Sequence, residues 1–213
     1  MKESSIVGHY WKDVCHEQEY SETFNLTYLT QLFEKFDEDP HPYRHPWRRP
    51  ATDELVIHLR IGDVIDESRY SGNTTVFQML REGADTRHGK HSFYQKGIKS
   101  VKEYISTIRE SGLQKVVLRG GSHFPKKYPK SRIYTKCLSE AIEKAGFTIT
   151  SVQVDGEDNP DQDFFYMSHA KHFVQATGGY SRLIASMVKH NGGRILGRVP
   201  VQDKNHTDDM DRE

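Results

Sequence analysis

The sequence is poor in cysteine, with Cys15 and Cys137 as the two among 213 residues. They lie far apart and in no spacing typical of metal ligands, so they predict neither a disulfide framework nor a zinc site. The sequence also has no apolar run long enough to cross a membrane, and its first residues lack the apolar core of a signal peptide. We therefore expect a cytoplasmic protein with no membrane span.

Three Asn-x-Thr triplets favour a different cellular setting. They begin at Asn25, Asn73 and Asn205, and this pattern accepts N-linked glycans in secreted proteins. Such triplets also arise by chance and have no effect in a cytosol. They leave a secretory setting open without establishing it.

An excess of charge of either sign is also missing, because 30 Lys and Arg residues balance 30 Asp and Glu residues. A neutral chain is not typical of a protein whose main partner is a nucleic acid. The one local basic run, FPKKYPKSR at residues 124–132, is more often a solvated loop than a binding patch. The sequence makes no prediction of oligomeric state.

Composition shifts along the chain predict three regions. Apolar residues at helical spacing predict an amphipathic helix at 22–37, and four prolines within residues 39–50 predict an extended connector. Residues 1–53 are therefore interpreted as an arm or a reduced lobe. An α/β domain is expected at 54–200, followed by a polar tail at 201–213.

Within the α/β domain, short β-branched runs alternate with helical stretches. Strands are predicted at 54–59, 115–119, 148–154, 172–176 and 194–199, and helices at 92–111, 132–145, 162–170 and 181–190. Alternation of this kind predicts a parallel, Rossmann-like sheet covered by helices on both faces. Ligands of such sheets bind outside the carboxyl ends of the strands.

The first of these strands ends in the polar stretch HLRIGD, residues 58–63. His58 and Arg60 are two positions apart, so they should project from one face of the strand, and Gly62 permits a turn after it. An arginine there suits a phosphate, because its planar fork can bond two oxygens at once. A simple Arg60–Asp63 pair that pins the turn explains the same spacing equally well.

Two glycine pairs follow later strands. The TGGYS turn should place the backbone N–H groups of Gly178, Gly179 and Ser181 at a helix N-terminus, where anions bind. The stretch LRGGSH, residues 118–123, is interpreted as another strand-end turn, which would present Ser122 and His123. Gly121 and Ser122 of this turn are candidates for binding the ligand.

Two of these stretches resemble motifs of one enzyme family. HLRIGD resembles the His-x-Arg-x-Gly-Asp motif of the superfamily of α1,2-, α1,6- and protein O-fucosyltransferases. DFFYMSHAKHFVQATGGYS, residues 163–181, resembles the last motif of the α1,2 branch. The likeness spans residues 54–197, and it departs from that branch at LRGGSH, where Ser-Asp-Asp is usual.

The resemblance implies a fold and a reaction. These enzymes have a two-lobed GT-B-like fold, so the α/β domain resembles the donor-binding lobe. They invert the anomeric centre and need no bound metal, with GDP-fucose or another GDP-sugar as donor and a glycan or protein hydroxyl as acceptor. Without a metal, an arginine and oriented N–H groups must stabilise the departing diphosphate.

The resemblance also implies roles for individual residues. Arg60 would contact the diphosphate and His58 would lie near the nucleotide. Asp163 would bind the guanine edge, and the turn through Ser181 would hold phosphate. The acceptor needs a general base, for which Asp63, Asp66 and Glu67 are candidates, with Glu67 placed first.

Two departures favour a second function. Gly178 stands where the last motif has serine, and residues 1–53 are too few for the usual acceptor lobe. The chain is therefore interpreted as an enzyme with a reduced lobe or as an excised piece. The alternative function is a non-catalytic module that binds a GDP-sugar or a glycan.

Other conspicuous residues are given structural interpretations. Met167 and the aromatics Phe164, Phe165 and Tyr166 are expected in the core rather than at a ligand. His88 and His91 have a metal-like spacing with no third ligand in view, so we predict no metal site.

Overall fold

The computed structural model describes residues 26–27, 29–31, 34, 48–66, 74–83, 98–122, 129–155 and 160–197. The strands are β1 (Glu54–His58), β2 (Lys115–Ser122), β3 (Thr148–Asp155), β4 (His172–Val174) and β5 (Arg194–Leu196). The helices are α1 (Asp63–Asp66), α2 (Val76–Glu82), α3 (Val101–Ser111), α4 (Pro129–Lys144), α5 (Pro160–Ser168) and α6 (Gly179–His190). The described residues of the segment 26–34 are also helical.

The five strands form one sheet in the order β3-β2-β1-β4-β5, and every adjacent pair is parallel. The α/β fold class, a parallel sheet flanked by helices, is confirmed. The central strand β1 carries Leu55, Val56 and Ile57, which are fully buried because helices cover both of its faces.

Two apolar clusters fill the space on either side of the sheet. Leu55, Ile57 and Leu59 contribute to a first cluster that includes residues of α2, α3 and α4. Val56 and Val117 contribute to a second cluster, formed with α5 and α6. Met167, Phe164 and Phe165 are buried in this second cluster, in agreement with their predicted place in the core.

The N-terminal helical segment packs on the same face as α5 and α6. Leu29 is fully buried in the second cluster, and Leu26 contacts that cluster. This contact joins part of the predicted arm to the α/β domain. Most of the connector at 39–50 and the whole tail at 201–213 lie outside the described residues.

Several element boundaries differ from prediction. The helix expected from residue 92 begins at Val101, because Ser100 is its N-cap and forms a reciprocal capping box with Glu103. Helices α1 and α2 were not predicted. The stretch LRGGSH, residues 118–123, was also misassigned: the sequence predicted a turn there, but β2 continues to Ser122.

The strand order creates a switch point at the centre of the sheet. The chain runs from β1 outward to β2 and β3, and then returns to place β4 on the other side of β1. In open parallel sheets the ligand crevice lies outside the carboxyl ends of the two strands at such a point. Here those ends carry the His58–Asp63 stretch and the turn before α6.

Among the described residues, no helix is long and apolar enough to cross a membrane.

Candidate functional site

His58 lies at the carboxyl end of β1 on the face covered by α5 and α6. Its side chain is 6% exposed, and its ring meets the Tyr180 ring edge-on at a centroid distance of 5.7 Å. Tyr180 also packs edge-on against Phe164, with 5.9 Å between centroids. The first motif and the start of α6 are therefore in contact.

Burial keeps the His58 imidazole neutral. It lowers the pKa of His58 to about 3, and the nearby positive charge of Arg60 lowers it further in the same direction. The Nδ1 atom is buried and has no hydrogen-bond partner within the described part of the chain. A buried polar atom without a partner costs free energy, and ligand sites commonly retain such atoms.

Lowering the pH from 7 to 5 is expected to reduce the free energy of unfolding by about 2 kcal/mol through His58. The unfolded histidine has a pKa near 6.5, whereas the pKa of folded His58 is about 3. Between these values the unfolded state binds the extra proton, so stability is complete above about pH 6.5 and decreases as the pH falls. Denaturant unfolding at the two pH values measures the difference.

His58→Gln removes this titration and should reduce the pH dependence by the same amount. His190→Gln is the matched control, since His190 is exposed at the end of α6. A His58→Gln protein with the full pH dependence of the wild type would contradict a neutral, buried His58.

The turn between β4 and α6 places the start of a helix beside His58. Gly178 is the N-cap of α6, has φ 96°, and supplies no side-chain cap. A Cβ at Gly178 would meet nothing within 4 Å, so the positive φ rather than space favours glycine here. The N-terminal N–H groups of α6, including those of Gly179 and Ser181, thus lie at the switch point.

The Ser181 side chain has a structural contact in this turn. Its hydroxyl oxygen accepts a hydrogen bond from the Ala176 N–H at 2.9 Å, and the residue is fully buried. Ser181 therefore holds the turn in shape. The hydroxyl accepts this bond and keeps its own hydrogen as a donor, beside the N–H groups at the start of α6.

An arginine that the sequence analysis missed lies next to His58. Arg119 of β2 is the register partner of His58, and its Nη1 atom lies 3.3 Å from Oδ1 of Asp163. Its guanidinium also stacks on the Tyr166 ring, with 4.2 Å between Cζ and the centroid. Asp163 of α5, which is predicted to bind the guanine edge, is thus ion-paired to strand β2.

Acidic residues at the start of α5 also influence Tyr180. Burial raises the pKa of the Tyr180 phenol, and the charges of Asp163 and Asp161 raise it in the same direction. Asp161 is itself 3% exposed. The site therefore combines a neutral imidazole, a neutral phenol, two arginines and two carboxylates near the ends of β1 and β2.

Asp66, one of the three general-base candidates, caps a helix. Its Oδ1 accepts a hydrogen bond from the Lys130 N–H at 2.7 Å, and its Oδ2 accepts from the Ser131 N–H at 2.9 Å and the Ser131 hydroxyl at 2.6 Å. The Gly62 N–H in turn donates a hydrogen bond to the hydroxyl oxygen of Ser131 at 2.8 Å. These bonds occupy the N–H groups of Lys130 and Ser131 in the first turn of α4, so Asp66 has a structural role.

The structure describes less of the other two candidates for the general base, Asp63 and Glu67. The backbone of Asp63 begins α1, but its side chain lies outside the described residues, as does all of Glu67. The same holds for the side chain of Ser122, whose backbone pairs with Asp155. Neither His88 nor His91 is described.

The predicted turn at LRGGSH is a strand with an irregular register. Gly120 and Gly121 lie inside β2, and the pairing with β3 shifts between Arg119 and Ser122. Glycine within a strand often marks such an irregularity or a close approach of another chain segment. Gly121 is exposed, and a Cβ there would meet nothing within 4 Å.

Gly120→Ala is expected to destabilise the protein by about 1–2 kcal/mol, because overpacking a tight contact forces the backbone apart. A Cβ at Gly120 would lie 2.8 Å from the Leu59 carbonyl oxygen and 3.1 Å from the Leu59 Cβ. Gly121→Ala is the matched control and should change stability little. Denaturant unfolding of both variants measures the difference, and equal effects would contradict a close approach at Gly120.

Within the described residues, no group of three or more His, Cys, Asp and Glu side chains is arranged to hold a metal ion.

Comparisons with known proteins give structural neighbours only. No protein-family model matches the sequence, and no curated protein matches it. Among solved structures, POFUT1 in complex with GDP-fucose matches with 14% identity and a TM-score of 0.40, over 80% of this chain and 43% of that chain. POFUT1 with GDP (13% identity, TM-score 0.40) and apo POFUT1 (14%, 0.41) each match over 80% of this chain and 46% of theirs. The chain thus spans less than half the length of these structures.

Proposed function

We propose that the chain is the donor-binding part of an inverting glycosyltransferase that moves L-fucose from GDP-fucose to a glycan or protein hydroxyl. One observation carries the proposal. His58 of the first motif contacts Tyr180 at the N-terminus of α6, at the switch point between β1 and β4, and the charge of Arg60 lies close enough to His58 to lower its pKa. The two sequence stretches that resemble fucosyltransferase motifs, the last of them nearest to the α1,2 branch, therefore meet at one place.

Arg60 is proposed to bind the diphosphate of the donor. Its guanidinium can form two parallel hydrogen bonds to phosphate oxygens, and these strengthen as negative charge develops on the leaving group. The N–H groups at the start of α6, including those of Gly178 and Gly179, are proposed to bind the same diphosphate through the positive end of the helix.

The remaining site residues are proposed to bind the nucleoside. The Nδ1 atom of His58 has no hydrogen-bond partner among the described residues, which supports a hydrogen bond between this atom and the nucleotide. The Asp163 carboxylate is proposed to accept hydrogen bonds from the guanine edge. Guanine suits a carboxylate because it presents two adjacent N–H donors there.

The proposed general base is Glu67, with Asp63 as the alternative. The base must accept a proton from the acceptor hydroxyl as the sugar is transferred. We place Asp66 last of the three candidates, because its carboxylate accepts hydrogen bonds at the start of α4.

A reaction without a bound metal is part of the proposal. Metal-using transferases need paired carboxylates near the donor diphosphate. An Asp-x-Asp pair, Asp161 and Asp163, lies at the start of α5, but Asp163 is ion-paired to Arg119 and is proposed to bind the base rather than a metal at the diphosphate. Transfer should therefore persist in EDTA. Activity that EDTA abolishes and Mn²⁺ restores would contradict this part of the proposal.

Calorimetric titration with GDP, UDP, ADP and GDP-fucose tests the donor assignment. We expect GDP and GDP-fucose to bind more tightly than UDP and ADP, because only guanine presents the donor edge that Asp163 can accept. Tighter binding of UDP than of GDP would overturn the fucosyl assignment.

A second candidate function is a non-catalytic module that binds a GDP-sugar or a glycan. The commitment of Asp66 to helix capping favours it, since this leaves fewer carboxylates for base catalysis. Such a module would bind GDP without turning over GDP-fucose. Release of GDP that rises with added oligosaccharide or protein acceptor would exclude it.

A further inference from the structure

Arg119 and Asp163 form an ion pair between the sheet and α5, within the proposed site. Their side chains are 12% and 16% exposed, and Nη1 lies 3.3 Å from Oδ1. The two residues are 44 positions apart in the sequence. The pair therefore fixes a carboxylate of one element to a cation of another in a largely dry environment.

Arg119 is held firmly on its other side. The Tyr166 ring lies under its guanidinium, with 4.2 Å from Cζ to the ring centroid, a distance at which a cation and an aromatic face attract. A planar group stacked in this way has little freedom to rotate. Its Nη1 atom can therefore direct the Asp163 carboxylate to one orientation.

The guanidinium is not arranged for maximal stability. Its Nε atom is buried and has no hydrogen-bond partner among the described residues. A buried N–H without a partner is destabilising, and an ion pair of this kind is often no better for stability than apolar residues of the same size. This combination is more typical of a site for binding than of a purely structural contact.

The location of Arg119 connects it to the donor site. It is the register partner of His58, so the two side chains project from adjacent strands at the same carboxyl edge. The nearby N-terminus of α6 contributes Tyr180, whose pKa responds to Asp163. Arg119, His58 and Asp163 thus surround one part of the crevice.

We propose that Arg119 is a positioning residue that orients the Asp163 carboxylate for recognition of the guanine base. This inference rests on the proposed function, because it assumes a GDP-sugar donor. A carboxylate has about four lone-pair sites, so the bond from Arg119 does not prevent further hydrogen bonds from a ligand. Guanine offers two adjacent N–H donors, uracil one N–H between two carbonyls, and adenine an unprotonated ring nitrogen. A fixed carboxylate therefore selects guanine.

The test compares the affinities of GDP and UDP for the wild type and for Arg119→Gln, measured by displacement of a fluorescent GDP analogue. Without Arg119 the Asp163 carboxylate is no longer held in one orientation. Losing one oriented, charge-assisted hydrogen bond between this carboxylate and guanine should lower the affinity for GDP about tenfold. The affinity for UDP should stay within about threefold of the wild type, because UDP presents the same diphosphate but cannot use the carboxylate in the same way. The preference for GDP over UDP should therefore decrease.

Lys115→Gln is the matched control, since it breaks another basic–acidic pair on the same strand. Lys115 pairs with Asp53 at 2.7 Å, and both side chains are at least half exposed. This variant should keep the wild-type affinities for both nucleotides. The Asp163→Asn variant should show the lowest preference for GDP over UDP that the proposal allows. The preference of Arg119→Gln should approach that value.

Different outcomes separate this inference from the proposed function. A wild-type protein without preference for GDP over UDP would overturn the proposed function and this inference with it. A wild-type preference that Arg119→Gln leaves unchanged, or equal losses of GDP and UDP affinity, would overturn only the role of Arg119. If Arg119→Gln does not fold, Arg119→Lys replaces it: a preference reduced at least threefold supports the role, and an unchanged preference overturns it.

Discussion

Arg60→Lys is expected to lower the rate of fucose transfer about a hundredfold, which corresponds to about 3 kcal/mol of transition-state stabilisation. Lysine keeps the positive charge but offers a point donor in place of a planar fork. The two parallel bonds to the departing diphosphate are strongest when its negative charge is greatest, so their loss acts mainly on the rate of the chemical step. Steady-state turnover of GDP-fucose with acceptor measures this loss.

Thermal unfolding of the same variant distinguishes chemistry from structure. The melting temperature should change little, and Arg81→Lys, on the exposed surface of α2, is the control for arginine replacement. If Arg60 instead pins the turn through Asp63, turnover should be unaffected, and Asp63→Asn should reduce the melting temperature. A stable and fully active Arg60→Lys protein would remove the basis of the catalytic assignment.

Asp66→Ala is expected to destabilise the protein by about 3 kcal/mol, because it leaves two helix N–H groups and one hydroxyl without their acceptor. The carboxylate receives bonds from the Lys130 N–H, the Ser131 N–H and the Ser131 hydroxyl at the start of the 16-residue helix α4. Denaturant unfolding of the variant and of the wild type measures the loss.

Two further variants specify the cause of that loss. Asp66→Asn keeps one oxygen acceptor and should lose less stability than Asp66→Ala. Asp53→Ala removes an exposed carboxylate and should leave stability nearly unchanged, since its pair with Lys115 is at the surface. If Asp66→Ala retains wild-type stability but loses activity, Asp66 is the base after all.

The inner strands β1, β2 and β4 were predictable because their apolar runs are buried on both faces. The run containing Val116 and Val117 predicted the strand β2. The sequence did not predict where this strand ends, because Gly120 and Gly121 suit a bulge as well as a turn. What decided between them is the pairing of Ser122 with Asp155, which depends on the position of another strand.

Two helix starts carried signals that periodicity alone did not reveal. Ser100 with Glu103, and Thr75 with Gln78, both fit the capping-box pattern, and both boxes form in the structure. Attention to this pattern would have moved the start of α3 to Val101 and indicated α2. Helix α2 has only seven residues, too few for a clear hydrophobic period.

The partners of the site residues were beyond sequence reasoning. Asp66 reaches Ser131 across 65 positions, and Arg119 reaches Asp163 across 44. No local pattern encodes such contacts. A weaker signal did exist for Arg119: a charged side chain in a strand with buried neighbours requires a partner, although its identity depends on the fold.

The central place of β1 has a consequence for biosynthesis. This strand leaves the ribosome before its neighbours, since Val56 pairs with Val117 on one side and with Phe173 on the other. Until β4 has been translated, one edge of an apolar strand has no partner, and exposed edges of this kind favour aggregation. Contacts between such distant segments also slow folding. His58 therefore acquires its surroundings only after β4 and the start of α6 have been translated, and a nascent chain that stops before Val174 presents a strand edge to which chaperones can bind.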